Sequence, residues 1–103
     1  MAYIDSLHAL ADPTRRAVFE ALAKGPSPVA ALAATMPVSR PAVSQHLKVL
    51  SDAGLVTVHA EGTRRIYAVR PEGLDDLRRW LDQFWGDVMA RFENEIRNPR
   101  SPQ

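Results

Sequence analysis

Residues 38–50 read VSRPAVSQHLKVL, which is the pattern of a short amphipathic helix. At a step of about 100° per residue, Val43, Leu47 and Leu50 fall within about 60° of one another on the helix surface. That apolar stripe can pack on a core, while the polar residues between its members face away from the core. The sequence therefore predicts an amphipathic helix over about residues 39–53.

The side opposite the apolar stripe carries Ser44, Gln45 and Lys48, and Arg40 lies at the exposed start of the helix. In a helix-turn-helix, the N-terminal part of the second helix enters the DNA major groove. There it presents side chains of this kind to base edges and phosphates. The polar, basic outer face therefore predicts a recognition helix.

Start and stop signals for the other helices surround this segment. Asp12-Pro13 is a good helix start, because aspartate caps a helix and proline suits its first position. Ser27-Pro28 repeats that signal, and Pro37 ends the short helix that follows, since proline cannot continue it. The predicted helices span about residues 3–10, 13–24, 28–35, 39–53 and 72–96.

Two β-rich runs, Leu55–Ala60 and Arg65–Val69, lie between the last two helices. The turn between them contains Gly62, and a glycine supplies the positive φ that a tight hairpin needs. The hairpin forms the wing of a winged helix-turn-helix, at about residues 55–70. The predicted fold is mainly α with a small β-hairpin, in the order α-α-α-α-β-β-α.

Length and composition limit the class of protein. A chain of 103 residues forms one domain, which we place at residues 1–96, with a tail at residues 97–103. Cysteine is absent, which excludes disulfides and thiolate metal sites. The sequence shows no signal peptide and no run of about 18 apolar residues, so we expect a cytoplasmic protein without a membrane segment.

The net charge of +1 is unevenly distributed along the chain. Residues 1–70 hold eight Lys/Arg and five Asp/Glu, whereas residues 71–103 hold five Arg and seven Asp/Glu. The basic surplus coincides with the predicted recognition helix and wing, as a phosphate-binding surface requires. A surplus of this size is small, so it adds little weight by itself.

Four blocks of sequence occur in an order typical of one bacterial family. They are Leu10-Ala-Asp-Pro-Thr-Arg-Arg16, Val43-Ser-Gln-His-Leu-Lys-Val-Leu50, Ala53-Gly-Leu-Val56 and Glu61-Gly-Thr-Arg-Arg-Ile-Tyr67. They closely resemble the ArsR/SmtB family of winged helix-turn-helix transcriptional repressors, over about residues 5–92. The resemblance implies a homodimer that binds double-stranded DNA at an inverted repeat and usually represses its own operon.

Many members of that family sense metals, and the resemblance indicates where their ligands lie. One family site uses cysteines at about residues 29–33, which here read VAALA. The other uses Asp, His and Glu of paired last helices, but the last helix here has no histidine. A first-row metal needs several converging ligands. We therefore predict no metal, no cofactor and the non-metal-sensing branch of the family, and no inducer is evident.

Residues of the predicted recognition helix and wing are candidates for DNA contact. They are Ser39, Arg40, Pro41, Ser44, Gln45, His46, Lys48, Thr63, Arg64 and Arg65. Several alternatives stay open. Ser39 can cap the helix without contacting DNA. Arg40 can contact either a base or a phosphate. For His46, half-burial against the domain and contact with DNA are equally compatible with its position. Arg64 and Arg65 can instead be solvated charges that protect an edge strand from aggregation.

The predicted last helix is apolar around more than a third of its circumference. An ordinary surface helix needs a narrower stripe, and a contiguous exposed apolar patch indicates an interface. We expect part of this helix to pack internally and part to form a homodimer contact with the first helix. The candidate interface residues are Ile4, Leu7, Leu77, Trp80, Leu81, Phe84, Trp85, Val88 and Phe92.

No catalytic residue is predicted. A catalytic site needs a positioned nucleophile or acid–base group, but the histidines are scattered at His8, His46 and His59. The alternative to a DNA-binding repressor is a winged-helix protein-interaction module, which the polar, basic recognition face disfavours. Of Arg15 and Arg16 at the start of the second helix, we expect one to reach the DNA backbone and the other to pair with a carboxylate.

Overall fold

The computed structural model describes residues 2–97, with the side chains of residues 3–97. Its elements are α1 (Ala2–Ala11), α2 (Pro13–Leu22), β1 (Ser27–Pro28), α3 (Val29–Ala34), α4 (Arg40–Asp52), β2 (Val56–Glu61), β3 (Arg64–Val69), a 3-10 turn (Pro71–Leu74) and α5 (Asp75–Arg97). The predicted class, a mainly helical winged helix-turn-helix with a β-hairpin, is confirmed. The predicted tail lies outside the described residues except for Arg97, which ends α5.

Capping hydrogen bonds confirm two of the predicted helix starts. The Asp12 carboxylate accepts the backbone N–H of Arg15 at 2.9 Å, and the Ser39 hydroxyl oxygen accepts that of Ala42 at 3.2 Å. Both helices carry a proline in their first turn. Since the first N–H groups of a helix have no partner within it, these caps determine where α2 and α4 begin.

The buried core lies where α2, α3 and α4 meet the sheet. The apolar stripe of α4 is fully buried, because Val43, Leu47 and Leu50 are each 0 % exposed. Aliphatic side chains of the neighbouring elements pack in the same cluster: Val18, Leu22, Leu32, Leu55 and Val56. Burying one large aliphatic side chain contributes roughly 1.5–3 kcal/mol, so this cluster holds α4 with its polar side outward.

A helix begins directly after Ser27-Pro28, close to the predicted start, but the pair itself forms a short strand and Ser27 does not cap the helix. β1 pairs antiparallel with β3, with Ser27 opposite Tyr67 and Pro28 opposite Ile66, and the strand order is β1-β3-β2. The Ser27 hydroxyl donates to the carbonyl of Pro28 instead of capping α3. An edge strand tolerates a proline because its outer side needs no N–H partner. The base of the wing is therefore held by a third strand.

The long helix α5 buries none of its side chains in the core. It begins after the 3-10 turn rather than at residue 72, and it contacts α1. The Tyr3 and Trp80 rings stack there, with their centroids 5.4 Å apart. Since α1 has 10 residues and α5 has 23, α1 is much too short to cover α5 along its length. Part of the expected internal packing is therefore made with α1, and the apolar face beyond it is exposed in the described chain.

Arg15 and Arg16 cap the end of α1, a role that the sequence did not predict for either of them. The Arg15 guanidinium donates to the carbonyl oxygens of Ala9 and His8, and Arg16 donates to that of Leu10 at 3.1 Å. The last carbonyls of a helix have no N–H partner within it, and cationic side chains satisfy them well. Both arginines therefore fasten α2 to α1, and the DNA contact expected of one of them stays a prediction.

The cap of α2 makes stability depend on pH. The Arg15 backbone N–H, and then the Arg15 charge, lower the pKa of Asp12 below its ordinary value of 3.8. A lowered pKa means that the stabilisation is complete above the ordinary value and is lost as pH falls through the folded-state pKa. We expect Asp12→Asn to be less stable than the wild type at neutral pH, with the difference shrinking below pH 3.8.

Urea unfolding of both proteins over this pH range measures the effect. Asparagine also caps helices, so the comparison isolates the charge of the carboxylate. A difference in stability that stays the same at every pH would contradict the role given to that charge.

Candidate nucleic-acid interface

Helices α3 and α4 form the helix-turn-helix, with residues 35–39 as the turn between them. Because Val43, Leu47 and Leu50 anchor one side of α4 in the core, its other side is turned to solvent. Ser44, Gln45 and Lys48 are exposed on that side, as their helical spacing predicts.

The wing lies beside α4 and ends in a two-residue turn. Glu61 pairs with Arg64 in the ladder, so Gly62 and Thr63 alone form the turn. Gly62 has a φ of +64°, in the left-handed region that favours glycine. The turn brings Thr63, Arg64 and Arg65 to the tip of the hairpin, where all three are exposed.

Helix α4 and the wing border one open cleft of about 780 Å³. Seven of the ten residues predicted to contact DNA line it: Arg40, Ser44, Gln45, Lys48, Thr63, Arg64 and Arg65. Among them are four cationic side chains from two elements that are separate in sequence. A concave surface with convergent positive charge can hold phosphates, while the amide and hydroxyl groups of α4 can reach base edges.

The three remaining candidates do not line the cleft. Ser39 caps α4, and Pro41 is exposed in its first turn. His46 is half-buried, and its contact with DNA stays a prediction.

Other residues that line the cleft were not predicted from the sequence. Val58 and Tyr67 are cross-strand partners in the wing, Pro28 ends β1 and Val29 begins α3. The alternation of side chains along β2 and β3 could have indicated Val58 and Tyr67, since cross-strand partners share a face of the sheet. Nothing local to Pro28 indicates that it approaches the wing.

Lys48 is held along the helix by an ion pair. Its Nζ lies 3.2 Å from a carboxylate oxygen of Asp52, and both side chains are about 70 % exposed. Exposed pairs of this kind contribute only ~0.2–1 kcal/mol, so a phosphate can replace Asp52 as the partner of Lys48. Asp52 is the one carboxylate among the described residues that line the cleft.

At the positions where metal-sensing members of the ArsR/SmtB family hold their ligands, the residues of this chain do not fit a metal. Helix α3 reads VAALAA, so its side chains offer no nitrogen, sulfur or oxygen donor. In the described part of the chain, no group of three His, Cys, Asp or Glu residues converges.

A second feature is the apolar face of α1 and α5. All the predicted interface residues except the half-buried Leu77 are exposed: Ile4, Leu7, Trp80, Leu81, Phe84, Trp85, Val88 and Phe92. The face extends further than predicted, because Ile96 is 64 % exposed. No helix in the described range, residues 2–97, is long and apolar enough to cross a membrane.

A helix-turn-helix whose recognition helix and wing share a basic cleft defines a DNA-binding regulator. The family model for a helix-turn-helix domain matches residues 10–59. The HTH-type transcriptional regulator Rv2034 of Mycobacterium tuberculosis is 61% identical over 88 residues, which cover 85% of this chain and 82% of that protein. The transcriptional repressor SdpR of Bacillus subtilis is 30% identical over 76 residues, covering 74% of this chain and 84% of SdpR.

Solved structures of transcriptional regulators have a similar fold. An ArsR-like transcriptional regulator from Rhodococcus sp. RHA1 has a TM-score of 0.84 at 26% identity, covering 98% of this chain and 95% of that one. A homodimeric winged helix-turn-helix DNA-binding domain from Mycobacterium bovis shares the fold, with a TM-score of 0.64 at 24% identity and coverage of 99% and 88%. The chain belongs to the ArsR family of winged helix-turn-helix transcriptional regulators. It is a DNA-binding transcriptional regulator.

Proposed function

We propose that the protein is a cytoplasmic repressor that binds an inverted-repeat operator as a homodimer and represses its own operon without a metal or other cofactor. The observation that carries this proposal is the basic cleft shared by α4 and the wing. A relative that is a named repressor, SdpR, supports repression rather than activation.

The homodimer is supported by the apolar face of α1 and α5. Leu81, Phe84, Trp85 and Phe92 are each about half exposed or more in the single chain. Contiguous exposed apolar patches of this kind mark interfaces, and a two-fold axis makes one such patch complementary to itself. A winged-helix neighbour from Mycobacterium bovis is homodimeric. A second copy of this chain therefore covers the face.

The dimer explains why the operator is an inverted repeat. A two-fold axis presents two identical α4 helices, which reach successive major grooves about 34 Å apart. Each α4 reads one half-site, with Gln45 as the residue suited to adenine and Arg40 as the residue suited to guanine. Lys48, Arg64 and Arg65 hold the phosphates on either side of the groove.

Binding of the protein to the promoter of its own operon tests this proposal. A gel shift on that DNA, with random DNA as competitor and at near-physiological salt, is expected to show a specific complex of two chains per operator. Absence of a specific shift by a protein that sedimentation shows to be dimeric would overturn it.

The same assay distinguishes base contacts from phosphate contacts. We expect Arg64→Ala to weaken binding to all sequences and to reduce the slope of log affinity against log salt by about 1, because one phosphate contact is lost. We expect Gln45→Ala to relax the preference at one base pair by ~1–3 kcal/mol and to leave the salt slope unchanged.

Arg79→Ala is the matched control for the loss of one positive charge. Arg79 is exposed on α5, pairs with Asp76 at 3.2 Å and does not line the cleft. The Arg79→Ala variant is expected to change neither the slope of log affinity against log salt nor the base preference. Equal effects of the Arg64 and Gln45 substitutions on every sequence would contradict the division of roles.

A further inference from the structure

Gly73 lies in the 3-10 turn before α5 and packs directly on the backbone that leaves the recognition helix. A Cβ at residue 73 would overlap the carbonyl oxygen of Gly54 and lie 2.9 Å from its carbonyl carbon and 3.1 Å from the Cα of Leu55. Gly73 is not among the glycines with a positive φ. Close approach of two backbones, rather than an unusual conformation, is therefore what requires glycine here.

The backbone that Gly73 touches is tightly held at the end of α4. The Gly54 carbonyl accepts a hydrogen bond from the Arg70 guanidinium at 3.3 Å, and the Leu55 carbonyl accepts one from the Arg70 backbone N–H at 2.9 Å. The Leu55 N–H donates to the carbonyl of Leu50 at 2.9 Å. A displacement of Gly73 is thus transmitted to α4 rather than absorbed by a loose loop.

Gly73 also contacts α1 on its other side. The Ser6 hydroxyl, in a residue only 1 % exposed, donates to the Gly73 carbonyl at 3.3 Å. Ile4 and Leu7, on the exposed side of the same helix, belong to the apolar face proposed as the dimer contact. Gly73 therefore joins the helix that faces the partner subunit to the end of the helix that faces DNA.

We propose that Gly73 is a positioning residue that sets the orientation of α4 relative to the dimer axis, and so selects the half-site spacing of the operator. The proposal rests on the proposed function, a homodimer on an inverted repeat. Two contacts of Gly73 support it. Ser6 donates a hydrogen bond to the Gly73 carbonyl, and the backbone of Gly54 leaves no room for a side chain at residue 73. The two-fold axis doubles any displacement of α4, because both recognition helices move.

The test uses DNA duplexes that carry two half-sites of the footprinted operator at a series of spacings, and one duplex with a single half-site. With Gly73→Ala, a shifted or broadened spacing optimum is expected, with affinity at the wild-type spacing reduced at least about tenfold as simultaneous engagement of both half-sites is lost. Affinity for the single half-site is expected to stay unchanged, since α4 itself is intact. A general loss of protein stability would instead reduce the affinity for the two-site and the half-site duplexes by the same factor.

Gly86→Ala is the matched control, because a Cβ at Gly86 would meet nothing within 4 Å. Gly86 lies on the side of α5 away from the apolar face, and its alanine variant is expected to keep the wild-type spacing profile. Ser6→Ala is the second variant. It removes the hydroxyl that holds Gly73 and adds no atoms, so it decides the question if Gly73→Ala does not fold.

The outcomes separate the two proposals. A wild-type protein without any spacing preference would overturn the homodimer on an inverted repeat, and this inference with it. A wild-type optimum that stays in place in both Gly73→Ala and Ser6→Ala would overturn the role of Gly73 alone. A changed ratio of two-site to half-site affinity in either variant, absent in Gly86→Ala, supports it.

Discussion

Leu81→Glu is expected to make the protein monomeric and to abolish binding to its operator at concentrations that saturate the wild type. Leu81 lies within the exposed apolar face of α5, between Phe84 and Trp85 around the helix. Burial of an unpaired carboxylate costs several kcal/mol, and the two-fold axis repeats that cost. The dimer dissociation constant should therefore rise by at least about three orders of magnitude. Sedimentation and operator titration measure the two effects.

Gln83→Glu adds the same charge on the other side of the helix and serves as the control. It is expected to remain dimeric, because residue 83 lies about 160° around the helix from Leu81 at a step of about 100° per residue, on the polar side of Trp80. A Leu81→Glu protein that is still dimeric at micromolar concentration, or equal effects of the two variants, would place the interface elsewhere.

Leu47→Ala is expected to lower the free energy of unfolding by ~2–5 kcal/mol, a large part of the roughly 5–15 kcal/mol typical of a whole domain. Leu47 is 0 % exposed at the centre of the stripe that attaches α4 to the core. Truncation leaves a cavity that the surrounding helices fill only in part. Urea unfolding at one fixed protein concentration gives the value, because dimerisation makes stability concentration-dependent.

Val49→Ala is the comparison on the same helix. Val49 is 38 % exposed, and alanine favours helix formation over valine, so a change within about 0.5 kcal/mol is expected. A loss below about 1 kcal/mol for Leu47→Ala, or similar losses for both variants, would mean that the stripe does not anchor α4.

Features with local causes were predictable from the sequence. The caps Asp12 and Ser39 bind backbone N–H groups three residues further along the chain. Gly62 supplies its positive φ to its own turn. The outward side of α4 followed from the spacing of Val43 and Leu47, because helical periodicity depends on neighbours one turn away. The recognition side of the candidate site was predictable for the same reason.

Features that depend on distant partners were missed. Ser27 has the residue types of a helix start, but pairing with β3 makes it a strand, because its partner Tyr67 reaches it only in the folded chain. Arg15 was expected to bind a phosphate or a carboxylate, whereas the fold brings the end of α1 within its reach. The contact of Gly73 with Gly54 carries no local signal either, since both glycines look like ordinary turn residues.

The exposed face of α5 has a consequence for the control of gene expression. Since no side chain of α5 is fully buried within the described chain, the packing of α5 and the proposed assembly of two chains draw on the same apolar surface. While dimers are scarce, the amount of operator-binding protein then grows with the square of the amount of chain synthesised. The proposed repressor of its own operon would therefore have little effect at low copy number and would silence its promoter over a narrow range of expression.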